Sequence, residues 1–393
     1  MTLSKFEHVK ISGISTVVPP KEINIYDEAQ YYDNNIKKID RMRKMVGFYK
    51  RRVVDKDVTP SDLSIEAAKN LINDMKIDKN TIDALIYVVQ KPDFMAPATS
   101  FYIHNKLGLS EECAVFDVNQ GCPGWIYGLW IASQMIESKT NKRILLLAGD
   151  TPSAGMDPKD RISTPVFGDG GTATLLEYSE EKTLSWYNIT THSKDYEAIM
   201  TPASGQRCRF ALDNKEDAEL FDYIIKNPVQ TPFGHKTTVF NGYMDGIAVF
   251  NFTISEVPKD IKKLMAYANK EEKDIDALCL HQANKQIVQA VADGAGFPYE
   301  KTPYHAFETY GNNTMCSVPT TINSVLKEKI ENDKATLCCS GYGNGLACAS
   351  VIFSVEKIYS SGVRDYVKPD DFMSKKEFVE YWNKKLKGEN KDE

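Results

Sequence analysis

Four short stretches of this 393-residue chain hold side chains that could do chemistry. Cys122 lies in Asp117-Val118-Asn119-Gln120-Gly121-Cys122-Pro123-Gly124. His281 opens His281-Gln282-Ala283-Asn284, and Asn312 lies in Tyr310-Gly311-Asn312-Asn313-Thr314. Gly341-Tyr342-Gly343-Asn344-Gly345 is a glycine turn that can aim backbone N–H groups at a ligand. Pro123 suits the first position of a helix, where its missing N–H costs nothing. Cys122 then falls at the N-cap, with the positive end of the helix dipole aimed at its sulfur. A thiol of pKa ~8.5 is only a few per cent thiolate at neutral pH. A helix terminus contributes up to ~2 kcal/mol in a partly buried site, and a shift of about one unit raises the thiolate to roughly a quarter. A buried, inert core cysteine satisfies the same local pattern. Taken singly, a histidine or asparagine in a loop is more often structural. Together with the cysteine, the two supply a nucleophile and two uncharged donors for developing negative charge.

These residues need elements to hold them. Residues 114–119 read as a buried strand feeding the Cys122 turn, and residues 123–132 continue as a helix that is apolar all round. Residues 9–14 form a first strand, ended by Pro19-Pro20. Ser61-Asp62-Leu63 caps a helix reaching Met75, and residues 82–90 are a continuous apolar strand of the kind covered on both faces. The unit recurs: residues 260–269 are helical and 275–282 form a strand. Ile-Asp-Ala-Leu stands in both copies, roughly 190 residues apart. Phe167-Gly168-Asp169-Gly170-Gly171 and Gly343-Asn344-Gly345-Leu346-Ala347 are both glycine turns entering apolar strands. Two similar α/β halves stacked around one core are implied. The N-terminal half, 1–182, carries the cysteine; the C-terminal half, 183–356, carries the histidine and asparagine; 357–393 is an appendage. Residues 191–245, with many prolines, glycines and aromatics, form a long irregular insertion, read as a cover over a pocket. Residues 246–252 begin the next helix, 374–386 form an amphipathic helix and 387–393 a disordered tail. In open α/β sheets ligands bind beyond the carboxyl ends of strands, and Cys122, His281 and Asn312 each fall beyond a strand end or at a loop-to-helix entry.

The formal net charge of −6 excludes general nucleic-acid affinity. Eight cysteines show no paired metal-ligand spacing, so no metal is expected and the thiols are read as reduced, in a cytoplasmic setting. The N-terminus has no signal-peptide core, and no apolar run approaches membrane-spanning length. Residues 23–52 carry Lys37, Lys38, Arg41, Arg43, Lys44, Lys50, Arg51 and Arg52. A solvated face is the reading for most of them; a phosphate contact for coenzyme A is the alternative.

Residues 117–124, residues 281–284, Gly311-Asn312 with Ser317-Val318-Pro319, and Asp157-Pro158-Lys159-Asp160-Arg161 before Phe167-Gly168-Asp169-Gly170 make the chain resemble the β-ketoacyl-acyl-carrier-protein synthase III family of the thiolase superfamily. The resemblance runs from about residue 9 to 353, nearly the whole chain. It implies a five-layered α-β-α-β-α duplication with mixed sheets, usually a homodimer. Cys122 would be acylated by an acyl-coenzyme A, with the backbone N–H groups of Cys122 and Asn344 as oxyanion hole. His281 and Asn312 would donate to the thioester oxygen of malonyl-acyl carrier protein as carbon dioxide leaves. On the coenzyme side, Arg161 matches the family arginine that contacts adenine, and Asn284 is expected to fix the loop holding His281. Nothing is bound permanently; acyl-coenzyme A and malonyl-acyl carrier protein are substrates. The chain departs from the family in lacking a tryptophan between residues 23 and 52 and in having Gln286, beside Lys285, where an arginine often stands. With the long insertion, these departures point to a specialised pathway.

Three other functions fit parts of the pattern. Some relatives move an acyl group to oxygen or nitrogen, and those often alter the His/Asn pair that is intact here. Cys, His and Asn occur in the same order in papain-like hydrolases, but the internal duplication does not fit one. A non-catalytic partner subunit would ordinarily lack the nucleophile.

Overall fold

The computed structural model describes residues 2–389 apart from 158, 212 and 232–234. Two mixed sheets carry the fold. Counting their strands in chain order, these are β1 (Thr2–Phe6), β2 (Val9–Val18), β3 (Ala84–Val89), β4 (Ala114–Val118), β5 (Arg143–Asp150), β6 (Gly170–Tyr178), β7 (Ser185–Thr191), β8 (Ala277–Leu280), β9 (Lys334–Gly343), β10 (Ala347–Glu356) and β11 (Tyr359–Asp365). One sheet has the order β11-β2-β6-β5-β3-β4, the other β1-β7-β10-β9-β8. β3 is buried at all six positions between its parallel neighbours β4 and β5, as a continuous apolar run requires.

The repeated Ile-Asp-Ala-Leu has a shared job. Asp83 Oδ2 accepts from the backbone N–H groups of Lys142 and Arg143 at 2.6 and 2.8 Å, and Asp276 Oδ2 accepts from Thr336 N–H at 2.7 Å. In each half the aspartate ties the start of one parallel strand to its neighbour, β3 to β5 and β8 to β9. The paired glycine turns enter β6 and β10, which run antiparallel to β5 and β9.

Helices α4 (Gly124–Glu137) and α9 (Ser317–Val325) lie between the sheets. Their apolar residues share one core with side chains from both, including Val88, Leu146, Ala277 and Val351. A Cβ on Gly128 would come within 2.5 Å of Leu146, so this glycine allows α4 to lie close on the sheet. Helices α2 (Pro60–Asp74) and α3 (Thr99–Leu107) cover the outer face of the first sheet. α6 (Gly246–Ala268) and α7 (Lys285–Ala295) cover that of the second. The result is the thiolase-like α-β-α-β-α layering.

Several expectations need correction. α2 starts earlier, with Thr59 as N-cap in a capping box with Asp62 and Pro60 at the first turn. β4 is an edge strand with Ala114 exposed, not a buried one. Residues 359–365 are β11, hydrogen-bonded parallel to β2, and not part of an appendage. β1 joins the sheet of the other half. The 191–245 stretch is less irregular than its composition suggests. It holds helix α5 (Lys215–Lys226), short strand pairs, and a cluster of Phe210, Phe221 and Phe240 with ring centroids 5.2–5.6 Å apart. Pro232 and Gly234 of that stretch, and residues 390–393 of the tail, lie outside the described residues. The remaining helices are α1 (Ile36–Val46), α8 (His305–Tyr310), α10 (Lys327–Asn332) and the amphipathic α11 (Lys375–Leu386).

Candidate active site

Cys122 sits in the turn between β4 and α4. Pro123, not Cys122, is the N-cap, so the cysteine stands one residue further before the helix start than the sequence suggests. The glycine turn after β9 comes to it from the other half. An ideal Cβ on Gly343 would stand 3.1 Å from Cys122 Sγ, and one on Gly121 would stand 2.8 Å from Asn344 Cβ. Gly343 also has φ +142°, so backbone conformation and close approach both require glycine. The backbone N–H groups of Asn344 and of Cys122 itself face the sulfur and favour its thiolate. Burial opposes them and prevails: with a smaller contribution from Asp150, it pushes the thiol up to about 11. The expected quarter of thiolate is therefore overturned. The helix field was visible in the sequence; the desolvation was not.

His281 follows β8 and is 2% exposed. Its Nδ1 is 2.7 Å from Ser317 Oγ, and its ring meets the Tyr342 ring edge-on at 5.5 Å. Tyr342 donates its O–H to the His281 carbonyl at 3.0 Å. Burial pulls the imidazole down to about 4, so it is neutral near pH 7. Gln282 is held by donating Nε2–H to Leu280 and Pro303 carbonyls. Asn312 is 5% exposed and follows α8. Its Oδ1 accepts from Thr314 N–H at 3.0 Å, which turns the Nδ2 end, the donor end of the amide, the other way.

The Asn312 loop is pinned to the first half. Asn312 N–H donates to Val166 O at 2.8 Å and Gly168 N–H to Asn312 O at 3.1 Å. Asp169 in turn accepts from Val54 and Ser153 N–H groups, which anchors the Phe167-Gly168-Asp169-Gly170 turn. The glycine turn thus meets Cys122 at Gly343 and His281 at Tyr342, while Asn312 is tied to Thr314, which is tied in turn to Asp150.

The two coenzyme-side positions fare differently. Asn284 is the N-cap of α7, with its Oδ1 accepting from Ile287 N–H at 2.9 Å, so it shapes the loop after His281. Arg161 lies away from the sulfur, half-exposed and 3.5 Å from Asp33 beside α1. Pro158 of its motif is outside the described residues. Arg51 and Arg52 are spent on Glu28 and Asp365, whereas Lys37, Arg41 and Lys44 of α1 line an open groove of about 490 Å³. The insertion reaches the site at Ile199, whose carbonyl accepts from Asn344 Nδ2 at 2.8 Å. Thr314 and Ser317 stand in motifs quoted from the sequence but were given no role there, and Asp150 was not singled out. The one available signal was the carboxylate of Asp150, which follows the apolar run from Ile144 to Gly149.

The sequence profile of 3-oxoacyl-[acyl-carrier-protein] synthase III matches residues 116–194, and that of its C-terminal domain matches 265–355. A Campylobacter jejuni protein bearing the name 3-oxoacyl-[acyl-carrier-protein] synthase 3 is 34% identical over 93% of this chain and 99% of its own. A β-ketoacyl-[acyl-carrier-protein] synthase III of Fusobacterium nucleatum is 28% identical over 88% of this chain and 98% of its own. Among solved structures, a 3-oxoacyl-(acyl-carrier protein) synthase from Burkholderia xenovorans superposes with a TM-score of 0.83. It is 28% identical and the match covers 92% of this chain and 98% of that one.

Proposed function

Because this chain belongs to the 3-oxoacyl-[acyl-carrier-protein] synthase III family of acyl-transferring condensing enzymes, we propose that it joins an acyl group carried on Cys122 to a malonyl thioester with loss of carbon dioxide. In the first step Cys122 attacks the thioester of an acyl-coenzyme A. The carbonyl oxygen, becoming an oxyanion, is held by the N–H groups of Cys122 and Asn344. Coenzyme A leaves as its thiol, taking the proton that Cys122 gives up. In the second step malonyl-acyl carrier protein enters. Breaking the carboxylate's C–C bond releases carbon dioxide and leaves an enolate. Its oxygen is held by Nε2–H of His281 and Nδ2–H of Asn312. The enolate carbon attacks the acyl-cysteine carbonyl, the C–S bond breaks, and Cys122 leaves as thiolate and takes a proton from solvent, with a β-ketoacyl-acyl carrier protein as product.

The observation that carries this reading is the convergence of two backbone N–H groups on the sulfur of one cysteine, with a neutral histidine packed against the same glycine turn. Neutral donors suit a growing negative charge that has no fixed counter-charge. For a neutral His281 to donate from Nε2, Nδ1 must accept, and the Ser317 hydroxyl, 2.7 Å away, supplies that proton when it is turned from the Thr314 carbonyl, which lies 2.8 Å from the same oxygen. The test is intact-mass spectrometry after exposure to an acyl-coenzyme A panel, followed by malonyl-acyl carrier protein. Cys122 should gain the acyl mass and lose it as ketoacyl product forms. Full turnover by Cys122→Ser would overturn the scheme.

The insertion is proposed to shape the acyl pocket, through Ile199, for a specialised pathway. Trimming residues 206–232 should alter the acyl preference; an unchanged profile in a folded variant speaks against it. The homodimer is proposed on the free edge of β4 and on the exposed Met95 and Phe101 nearby, and a monomer in light scattering would exclude it. Arg161 and the α1 groove are proposed for the coenzyme. Eight free cysteines suit a reducing cytoplasm, and no helix among the described residues is long and apolar enough to cross a membrane.

A further inference from the structure

Thr314 holds a backbone conformation that its side chain should avoid. Its φ is +51°, in the left-handed region, where a β-branched residue is an outlier. All its polar groups are engaged. Its N–H donates to Asn312 Oδ1 at 3.0 Å, and its Oγ1 donates to Asp150 Oδ2 at 2.8 Å. Its carbonyl accepts from Ser317 N–H and lies 2.8 Å from Ser317 Oγ, whose one proton serves either that carbonyl or His281 Nδ1. Ser317 Oγ is the atom 2.7 Å from His281 Nδ1. One residue therefore orients the Asn312 amide directly and the His281 imidazole through a single hydroxyl. Its own anchor, Asp150, ends β5 in the opposite half, 2% exposed, with Oδ1 lacking a hydrogen-bond partner among the described residues. A buried carboxylate with so little compensation is a costly way to close a turn. Packing alone would be served by valine at 314 and an apolar residue at 150.

We propose that the Asp150–Thr314 hydrogen bond is a clamp across the two halves that positions Asn312 and His281 together for the decarboxylative step. Thr314 and Asp150 are positioning residues; neither touches substrate. The inference rests on the function proposed above and assigns the two donors a common support. It separates the half-reactions: the clamp acts on the donors of the second step, and the oxyanion amides of the first belong to the Gly341–Gly345 turn (Asn344) and the turn before α4 (Cys122).

The experiment compares Thr314→Val, which keeps the shape and loses the hydroxyl, with Thr314→Ser, which keeps the hydroxyl. Acyl loading of Cys122 is read by intact mass. Decarboxylation of malonyl thioester by the pre-acylated enzyme is read separately. Misplacing reacting groups by about 1 Å can cost on the order of 100-fold, so Thr314→Val should slow decarboxylation by roughly 10- to 100-fold. Loading should change by less than about threefold, and Thr314→Ser should recover most of the loss. Equal losses in both steps, no loss in either, or a serine variant as poor as the valine one would overturn the clamp. A ¹⁵N measurement of the His281 imidazole decides independently of turnover: its signals should move in Thr314→Val and stay in Thr314→Ser. Unmoved signals in both overturn it. If wild-type protein fails to decarboxylate malonyl thioester, the functional reading falls, and the imidazole signals still decide the clamp.

Discussion

At the residue scale the site is governed by desolvation. Cys122 lies near a helix N-terminus, yet its thiol is pushed up to about 11 because burial costs the thiolate more than two amides return. The thiolate is the reactive form, so alkylation of Cys122 by iodoacetamide should keep rising with pH, close to tenfold per unit, up to about pH 10. A plateau below pH 8 would contradict this environment. His281 is displaced in the other direction, down to about 4. The folded state then binds fewer protons than the unfolded chain between about 4 and 6.5, so this histidine's contribution to stability is complete above about 6.5 and is lost as pH falls toward 4. The imidazole resonances of His281 should accordingly stay fixed from pH 8 to about 5.5. A titration midpoint near 6.5 would show the ring to be solvated.

At the element scale, function depends on how closely loops from the two halves approach. Gly168 faces Tyr310 O across a gap that a Cβ would cut to 1.9 Å. Gly168→Ala must therefore displace the Asn312 loop, and it should reduce decarboxylation by at least tenfold while Cys122 still accepts an acyl group. Retained condensation would mean the loop can shift without losing Asn312. Gly343→Ala is the complementary case. Its Cβ would press on Cys122 Sγ at an unfavourable φ, so acyl loading itself should fail. Both glycines stand in motifs that were legible in the sequence as turns. The sequence did not say which partner each turn approaches, because that contact joins residues more than a hundred positions apart.

At the scale of the molecule, each sheet is completed by a strand from the far end of the chain. β1 adds to the second half's sheet and β11 to the first half's. Deleting residues 357–393 should therefore remove an edge strand along with buried Ile358 and Tyr366, and lower Tm by more than about 10 °C. Deleting only residues 374–393 removes α11, whose described side chains are exposed or half-buried, and should shift Tm by less than about 3 °C. Similar losses for both deletions would show that α11 bears on the core. The sequence by itself determined the duplication and the four motifs. Period, apolar runs and the Ile-Asp-Ala-Leu repeat are local features, and a local feature can be read along a chain. The tertiary structure alone decided the protonation of Cys122 and His281, the exchange of β1 and β11, and the joining of Asp150 to Thr314. Each of these depends on what surrounds an atom after folding, and burial and cross-half contact have no counterpart in the order of residues.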